Sequence, residues 1–233
     1  MELCWKFLKV FVNVKILLKG GSAEITEKKS RFIATVSLVR SAQEANEMIA
    51  ALRKQYWDAR HNCSAMIIGE RGEFSRCSDD GEPAGTAGRP MLAVLSGAGI
   101  TNICVVVTRY FGGVLLGTGG LVRAYSRAVQ EGLNACTVAD SIDGFRLRVR
   151  TDYNGIGKLQ YVLGQRGLPV TDTAYTDMVE IETMVPADSL GSLKSEITEK
   201  TNAKALFIAE EALRYAISEG QPVILGEEYT SML

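Results

Sequence analysis

The chain has 233 residues, of which 46% are hydrophobic and 23% charged, with a formal net charge of −1. This is globular composition with enough apolar side chains for a core, and the length suits one large domain or two small ones. A single histidine and five scattered cysteines without a CxxC pair argue against a Cys/His zinc site and against a disulfide framework, and fit free thiols in a reducing cytosol. Charge is uneven: residues 1–140 hold 17 Lys and Arg against 13 Asp and Glu, and residues 141–233 hold 9 against 14. A mildly basic half joined to an acidic half suggests two modules, though neither imbalance is large.

Residues 1–19 are apolar, but Lys6, Lys9, Lys15 and Lys19 interrupt them. The uninterrupted runs are far too short to span a bilayer. Neither the basic start nor the small-residue cleavage site of a signal peptide is clear. Residues 1–13 read as an extension and Val14–Leu18 as the first strand. Arg31–Val39 follows as a strand, with Phe32, Ala34, Val36 and Leu38 alternating inward. Ser41 and Glu44 have capping-box spacing and open a helix whose apolar face holds Ala45, Met48, Ile49, Leu52 and Tyr56. Cys63–Ile68 and Glu73–Ser78 read as a hairpin around Gly69–Gly72. Ile103–Thr108 is an almost continuous apolar run, as in a strand buried on both faces. Arg109–Gly120 reads as a glycine-rich loop and Leu121–Leu133 as a helix.

The pattern changes around Ala139–Gly144. Phe145–Arg150 alternates like a strand, Tyr153–Gln165 is helical, and Pro169–Thr176 and Met178–Val185 are strands. Asp188–Lys200 is a helix and Lys204–Tyr215 a last strand. The order β-α-β-β-α-β is the ferredoxin-like one. Residues 216–233 read as a tail.

Two clusters carry the candidate chemistry. The first runs from Ser78 to Pro90 and holds Asp79, Asp80, Gly81, Glu82, Gly85, Thr86 and Arg89. The second joins Arg109, Tyr110, Phe111, Gly112 and Gly113 to Gly117, Gly119, Gly120, Arg123 and Arg127. Glycines between a buried strand and a helix let the backbone approach a ligand closely. The first N–H groups of the helix lack partners and carry partial positive charge, which suits phosphate or carboxylate. Arg109 and Arg123 add bidentate donors, and Tyr110 or Phe111 could stack on bases. Neither a Walker A loop nor a dinucleotide fingerprint matches, so the stretch reads as a generic anion nest.

Asp79, Asp80 and Glu82 are open to two readings. They are catalytic or metal-binding acids, or they are turn residues paired with Arg89, Arg109 or Arg123. His61 is a further catalytic candidate, with Cys63 on the same strand face. No metal and no cofactor is expected, and no reaction is evident.

At these residues the chain resembles the IMPACT family, whose bacterial members are the YigZ-type proteins. The resemblance rests on Glu27–Ala34, Ala59–Cys63, Ser78–Pro83 with Gly85–Gly88, and Val107–Gly113 continuing through Leu121–Tyr125. It covers residues 14–215. It implies an α+β fold of two domains: residues 14–138 like domain 2 of ribosomal protein S5, and residues 143–215 ferredoxin-like, as in domain V of elongation factor G. It also implies a cytoplasmic protein associated with RNA or the ribosome that modulates translation. The alternatives are an enzyme or small-molecule binder for a phosphorylated or carboxylated ligand at the same site, and an adaptor for a regulatory protein. No membrane partner is expected.

Overall fold

The computed structural model describes residues 15–69 and 71–226. The expected extension, residues 1–13, lies outside the described residues. The chain divides into two compact units that meet between Ala139 and Asp140.

The first unit runs β1 (Lys15–Lys19), β2 (Gly21–Glu27), β3 (Ser30–Leu38), α1 (Ala42–Gln55), β4 (His61–Ile68), β5 (Phe74–Ser78), α2 (Gly88–Ala98), β6 (Ile103–Tyr110) and α3 (Thr118–Asn134). Its five-stranded sheet has the order β2-β3-β6-β4-β5, with every neighbouring pair antiparallel. The central strand β6 is buried on both faces, which explains its continuous apolar run. Val105 and Val107 join Phe32, Cys63 and Ala65 in a core with Met91, Leu95 and Leu121 to Leu133 of α2 and α3. Cys104 and Val106 belong to a second core, completed by Ala45 and Leu52 of α1. The Ser41 side chain accepts from the Glu44 N–H, 3.1 Å away, so the expected cap forms.

Two elements of this unit escape the sequence patterns. Strand β2 buries only Ile25 and otherwise alternates between exposed and half-buried residues, so its apolar signal is weak. Helix α2 begins at Gly-Arg-Pro without a capping side chain on its own N-cap, Ala87. Its cap comes from Asp79, eight residues upstream. Pro90 sits in the first turn, where a missing N–H costs nothing. The glycine loop is also shorter than expected, because β6 continues to Tyr110 and α3 starts at Thr118.

The second unit runs β7 (Thr137–Thr151), α4 (Ile156–Gln165), β8 (Val170–Tyr175), β9 (Val179–Pro186), α5 (Leu190–Lys200), β10 (Leu206–Ser218) and β11 (Gln221–Ile224). The order β10-β7-β9-β8 is the ferredoxin-like arrangement, with β11 added outside β10. Leu147, Val149 and Ile181 of the sheet pack against Leu159 and Leu163 of α4 and Leu193 and Ile197 of α5. The expectation of a tail from residue 216 needs correction. Ser218 pairs with Gln221 across Glu219-Gly220, and β11 continues the hairpin to Ile224. Both turn residues have positive φ, 52° and 77°, which matches the twist of a two-residue hairpin. Glycine at the second position signals this turn, but a non-glycine residue at the first masks it.

Candidate functional site

The site follows from strand direction. Pairing of β4 with β6 sets His61 opposite Arg109, and pairing of β3 with β6 sets Phe32 opposite Arg109. The start of β4, the end of β6 and the end of β5 therefore lie at the same end of the sheet. The turn after β5, Asp79 to Thr86, folds over that end.

Each acid of this turn is held by donors. The Asp79 carboxylate accepts from the backbone N–H groups of Gly85 (2.8 Å), Ala87 (3.0 Å) and Gly88 (2.8 Å). Burial pushes its carboxyl up, but those three N–H groups and the nearby Arg89 together hold it below the ordinary value. The Asp80 carboxylate accepts from the Asn62 N–H at 2.7 Å and from the Arg53 guanidinium. Glu82 is buried, and its Oε1 accepts from Arg109 Nη1 at 2.6 Å and from the Tyr125 hydroxyl at 2.9 Å. Thr86 closes the turn by donating to the Pro83 carbonyl. Among the described residues no group of three or more His, Cys, Asp or Glu is placed to hold a metal ion.

His61 Nδ1 lies 2.8 Å from the Asp80 carbonyl oxygen. A carbonyl oxygen only accepts, so Nδ1 carries the proton and Nε2, 4.0 Å from Glu82 Oε1, is left for other contacts. The Cys63 thiol donates to the Asp79 carbonyl oxygen at 3.0 Å, and burial pushes its pKa up to about 12. At that value it is an inert small apolar group, not a nucleophile. Burial, followed by the neighbouring Cys63, pushes the Tyr125 phenol well above its usual range.

Arg109, expected to reach an external anion beside Arg123, is only 6% exposed and points its Nη1 at Glu82. Its guanidinium carbon lies 5.4 Å from the Phe32 ring centre and 5.7 Å from that of Phe111. Its Nε is buried with no partner. Tyr110 donates to Asp58, and its ring lies under Arg31. Gly112 packs on the β2–β3 turn, where any Cβ would come within 2.0 Å of the Lys29 backbone. Gly117 precedes α3 with φ 71°, and no side chain caps that helix. Among the described residues, the amides of Thr118, Gly119 and Gly120 have no hydrogen-bond partner, and α3 has no acid in its first turn.

Arg123 and Arg127 are exposed on α3 one turn apart and form no ion pair among the described residues. They line a groove of about 230 Å³ with Gly120, Lys28 and Glu27. On the other side of the same helix start lies a cavity of about 480 Å³, lined by Arg60, His61, Glu82, Arg109 and Phe111, with Thr118 and Leu121 of α3. The site residues that sequence reasoning missed are Lys28, Arg60, Asn62, Thr108 and Tyr125. Asn62 and Thr108 are buried partners, the Thr108 hydroxyl donating to Asn62 at 2.7 Å. Tyr125 had a legible signal: it lies one turn beyond Leu121 on a core face, where a phenol needs a partner.

The geometry now stands beside known proteins. Residues 28–133 match the model of the Impact N-terminal domain, and residues 149–204 match a domain of unknown function, DUF1949. The chain is 43% identical over 187 residues to the IMPACT family member YvyE of Bacillus subtilis, covering 80% of this chain and 86% of that one. The chain belongs to the IMPACT family. It is also 34% identical over 186 residues to the IMPACT family member YigZ of Escherichia coli, covering 79% of this chain and 91% of that one. Among solved structures it is similar to a crystal structure of a hypothetical protein, at 31% identity and a TM-score of 0.53, covering 88% of this chain and 98% of that one. The Impact N-terminal match encloses the candidate site residues of this family member from Lys28 to Arg127, and only Glu27 of the groove lies just outside it.

Proposed function

We propose that the first domain binds a nucleic-acid phosphate backbone and that the protein acts in the cytoplasm on RNA or the ribosome to modulate translation. The observation that carries this reading is the groove holding Arg123, Arg127 and Lys28 beside the uncapped start of α3. Three cations line that groove beside a single carboxylate, Glu27, and form no ion pair among the described residues, while Arg53, Arg31 and Arg109 of the same domain are all bound to acids. Free guanidinium groups at a helix N-terminus are a site for phosphate oxygens. Phe111, 43% exposed in the loop before α3, supplies a ring on which a base can stack. The spacing of Arg123 and Arg127, one helical turn, lets both reach successive phosphates.

The test is binding of a fluorescent single-stranded RNA, followed by anisotropy across a salt series. Three phosphate contacts predict a slope of about −2 in log K against log salt, since each contributes about 0.7 for a single strand. The Arg123→Ala change should weaken binding and flatten that slope by about 0.7. Absence of binding at low salt, or an unchanged slope in the variant, would overturn the reading.

A further inference from the structure

We infer that the cavity on the inner side of the α3 start is a second, separate site, which takes a small phosphate monoester with an apolar body. The inference shares Phe111 and the uncapped start of α3 with the RNA reading, but takes its anion contacts from Arg60, His61 and Arg109 rather than from Lys28, Arg123 and Arg127. Four observations converge on it. The start of α3 carries neither a cap nor an acid of its own, and Thr118, whose amide has no hydrogen-bond partner among the described residues, lines the cavity. A helix N-terminus without its own anion favours an external one. The buried Arg109 lines the same cavity, and its Nε has no partner. A buried N–H left unsatisfied is costly, so an anion near this guanidinium would meet a group that its carboxylate partner Glu82 does not fully satisfy. Thr118 adds a hydroxyl and Arg60 an exposed guanidinium.

The charge balance favours an anion. Glu82 also lines the cavity, but Arg109 and the Tyr125 hydroxyl both engage it. That leaves Arg60 and the helix terminus as the net charge. His61 Nε2, with its Nδ1 committed to the Asp80 carbonyl, is available to accept from the P–OH of a monoester monoanion.

The opposite wall is apolar. Leu116 and Leu121 are buried, Phe111 is 43% exposed, and Leu115 is 82% exposed at the mouth. An exposed leucine beside an aromatic ring, next to a cationic end, is the arrangement expected where an organic body covers both. The volume, about 480 Å³, falls in the range of small-molecule sites.

The test is calorimetric titration of the full chain with phenyl phosphate, inorganic phosphate and benzoate. Phenyl phosphate should bind with one site per chain, at least tenfold more tightly than either of the others. Thr118→Glu places a carboxylate in the first turn of α3, where it stabilises the helix and occupies its amides. That variant should melt no lower than the parent and should lose phenyl phosphate binding at least tenfold. Arg60→Ala should weaken it, and Arg123→Ala should leave it unchanged. No binding of phenyl phosphate at millimolar concentration would overturn the inference. So would unaltered binding in Thr118→Glu, tighter binding of benzoate, or loss of binding in Arg123→Ala.

Discussion

Asp79 shows how one side chain can fix a site. Its carboxylate closes the turn through Gly85 and caps α2 through Ala87 and Gly88. Those N–H groups prefer the ionised form, so the folded state holds the carboxyl below its unfolded value of about 3.8. The unfolded chain therefore binds the proton more readily. The stability that Asp79 contributes is complete above that unfolded value and is lost as pH falls through the lower, folded one. Asp79→Asn removes the charge and leaves one oxygen to accept. The variant should be less stable near pH 7, by about 1–2 kcal/mol if it behaves as a lost cap. The gap between variant and parent should close as pH falls below about 4. Urea midpoints measured from pH 7 to pH 2.5 give this directly, and parallel curves for the two proteins would rule the account out.

At the scale of elements, α3 carries a glycine that the fold does not explain. Gly117 needs φ 71°, and Gly120 has Leu116 Cβ at 2.9 Å from any Cβ it might carry. Gly119 has neither reason: a Cβ there meets nothing closer than Arg123 Nη1, at 3.7 Å. Alanine is favoured over glycine in a helix by about 1 kcal/mol. Gly119→Ala should therefore raise stability by up to about that amount while weakening RNA binding, because the methyl group stands over the amides beside Arg123. Gly117→Ala should lower stability, since alanine pays to adopt positive φ. Thermal unfolding and anisotropy on the two variants separate a residue kept for folding from one kept for a ligand. Loss of stability in Gly119→Ala would assign that glycine to the fold.

The same contrast explains what could be read in advance. The two-sided burial of β6, the Ser41 cap and the ferredoxin-like order are all local patterns of period, spacing and succession. Helix α2 was not legible, because Asp79 caps it across eight residues. Pairing of the acids with arginines was one of the two open readings, and the structure joins Glu82 to Arg109 across 27 residues but Asp80 to Arg53, a partner not anticipated. Sequence spacing does not encode such partners. The glycine loop was placed correctly between β6 and α3, but which arginine faces outward depends on strand register. Arg109 ends an interior strand and turns to Glu82, whereas Arg123 and Arg127 stand on an exposed helix face.

For the whole molecule, the two units have separate cores. Phe32, Val105, Val107 and Tyr125 belong to one cluster, and Leu147, Ile181, Leu193 and Ile197 to another. They differ as much in charge. Residues 15–139 hold 15 Lys and Arg against 11 Asp and Glu, and residues 140–226 hold 9 against 13. All five arginines of the second unit are paired, Arg146, Arg148 and Arg150 with acids of β9 and β10, Arg166 with Glu196 and Arg214 with Asp143. Such surface pairs add little stability but neutralise the face that carries them. In the first unit Arg123, Arg127 and Lys28 line one groove and form no ion pair among the described residues. Each unit with its own core should fold alone. A fragment of residues 15–139 should unfold cooperatively and retain the RNA affinity of the full chain within about threefold, since it keeps Lys28, Arg123 and Arg127. A fragment of residues 140–226 should also fold, yet bind RNA at least tenfold more weakly, its five arginines being already engaged by acids. Circular dichroism melts establish folding, and anisotropy at a single low salt concentration compares affinities. RNA binding that follows the second fragment would move the nucleic-acid surface to the ferredoxin-like domain and leave the groove at Arg123 without its proposed role.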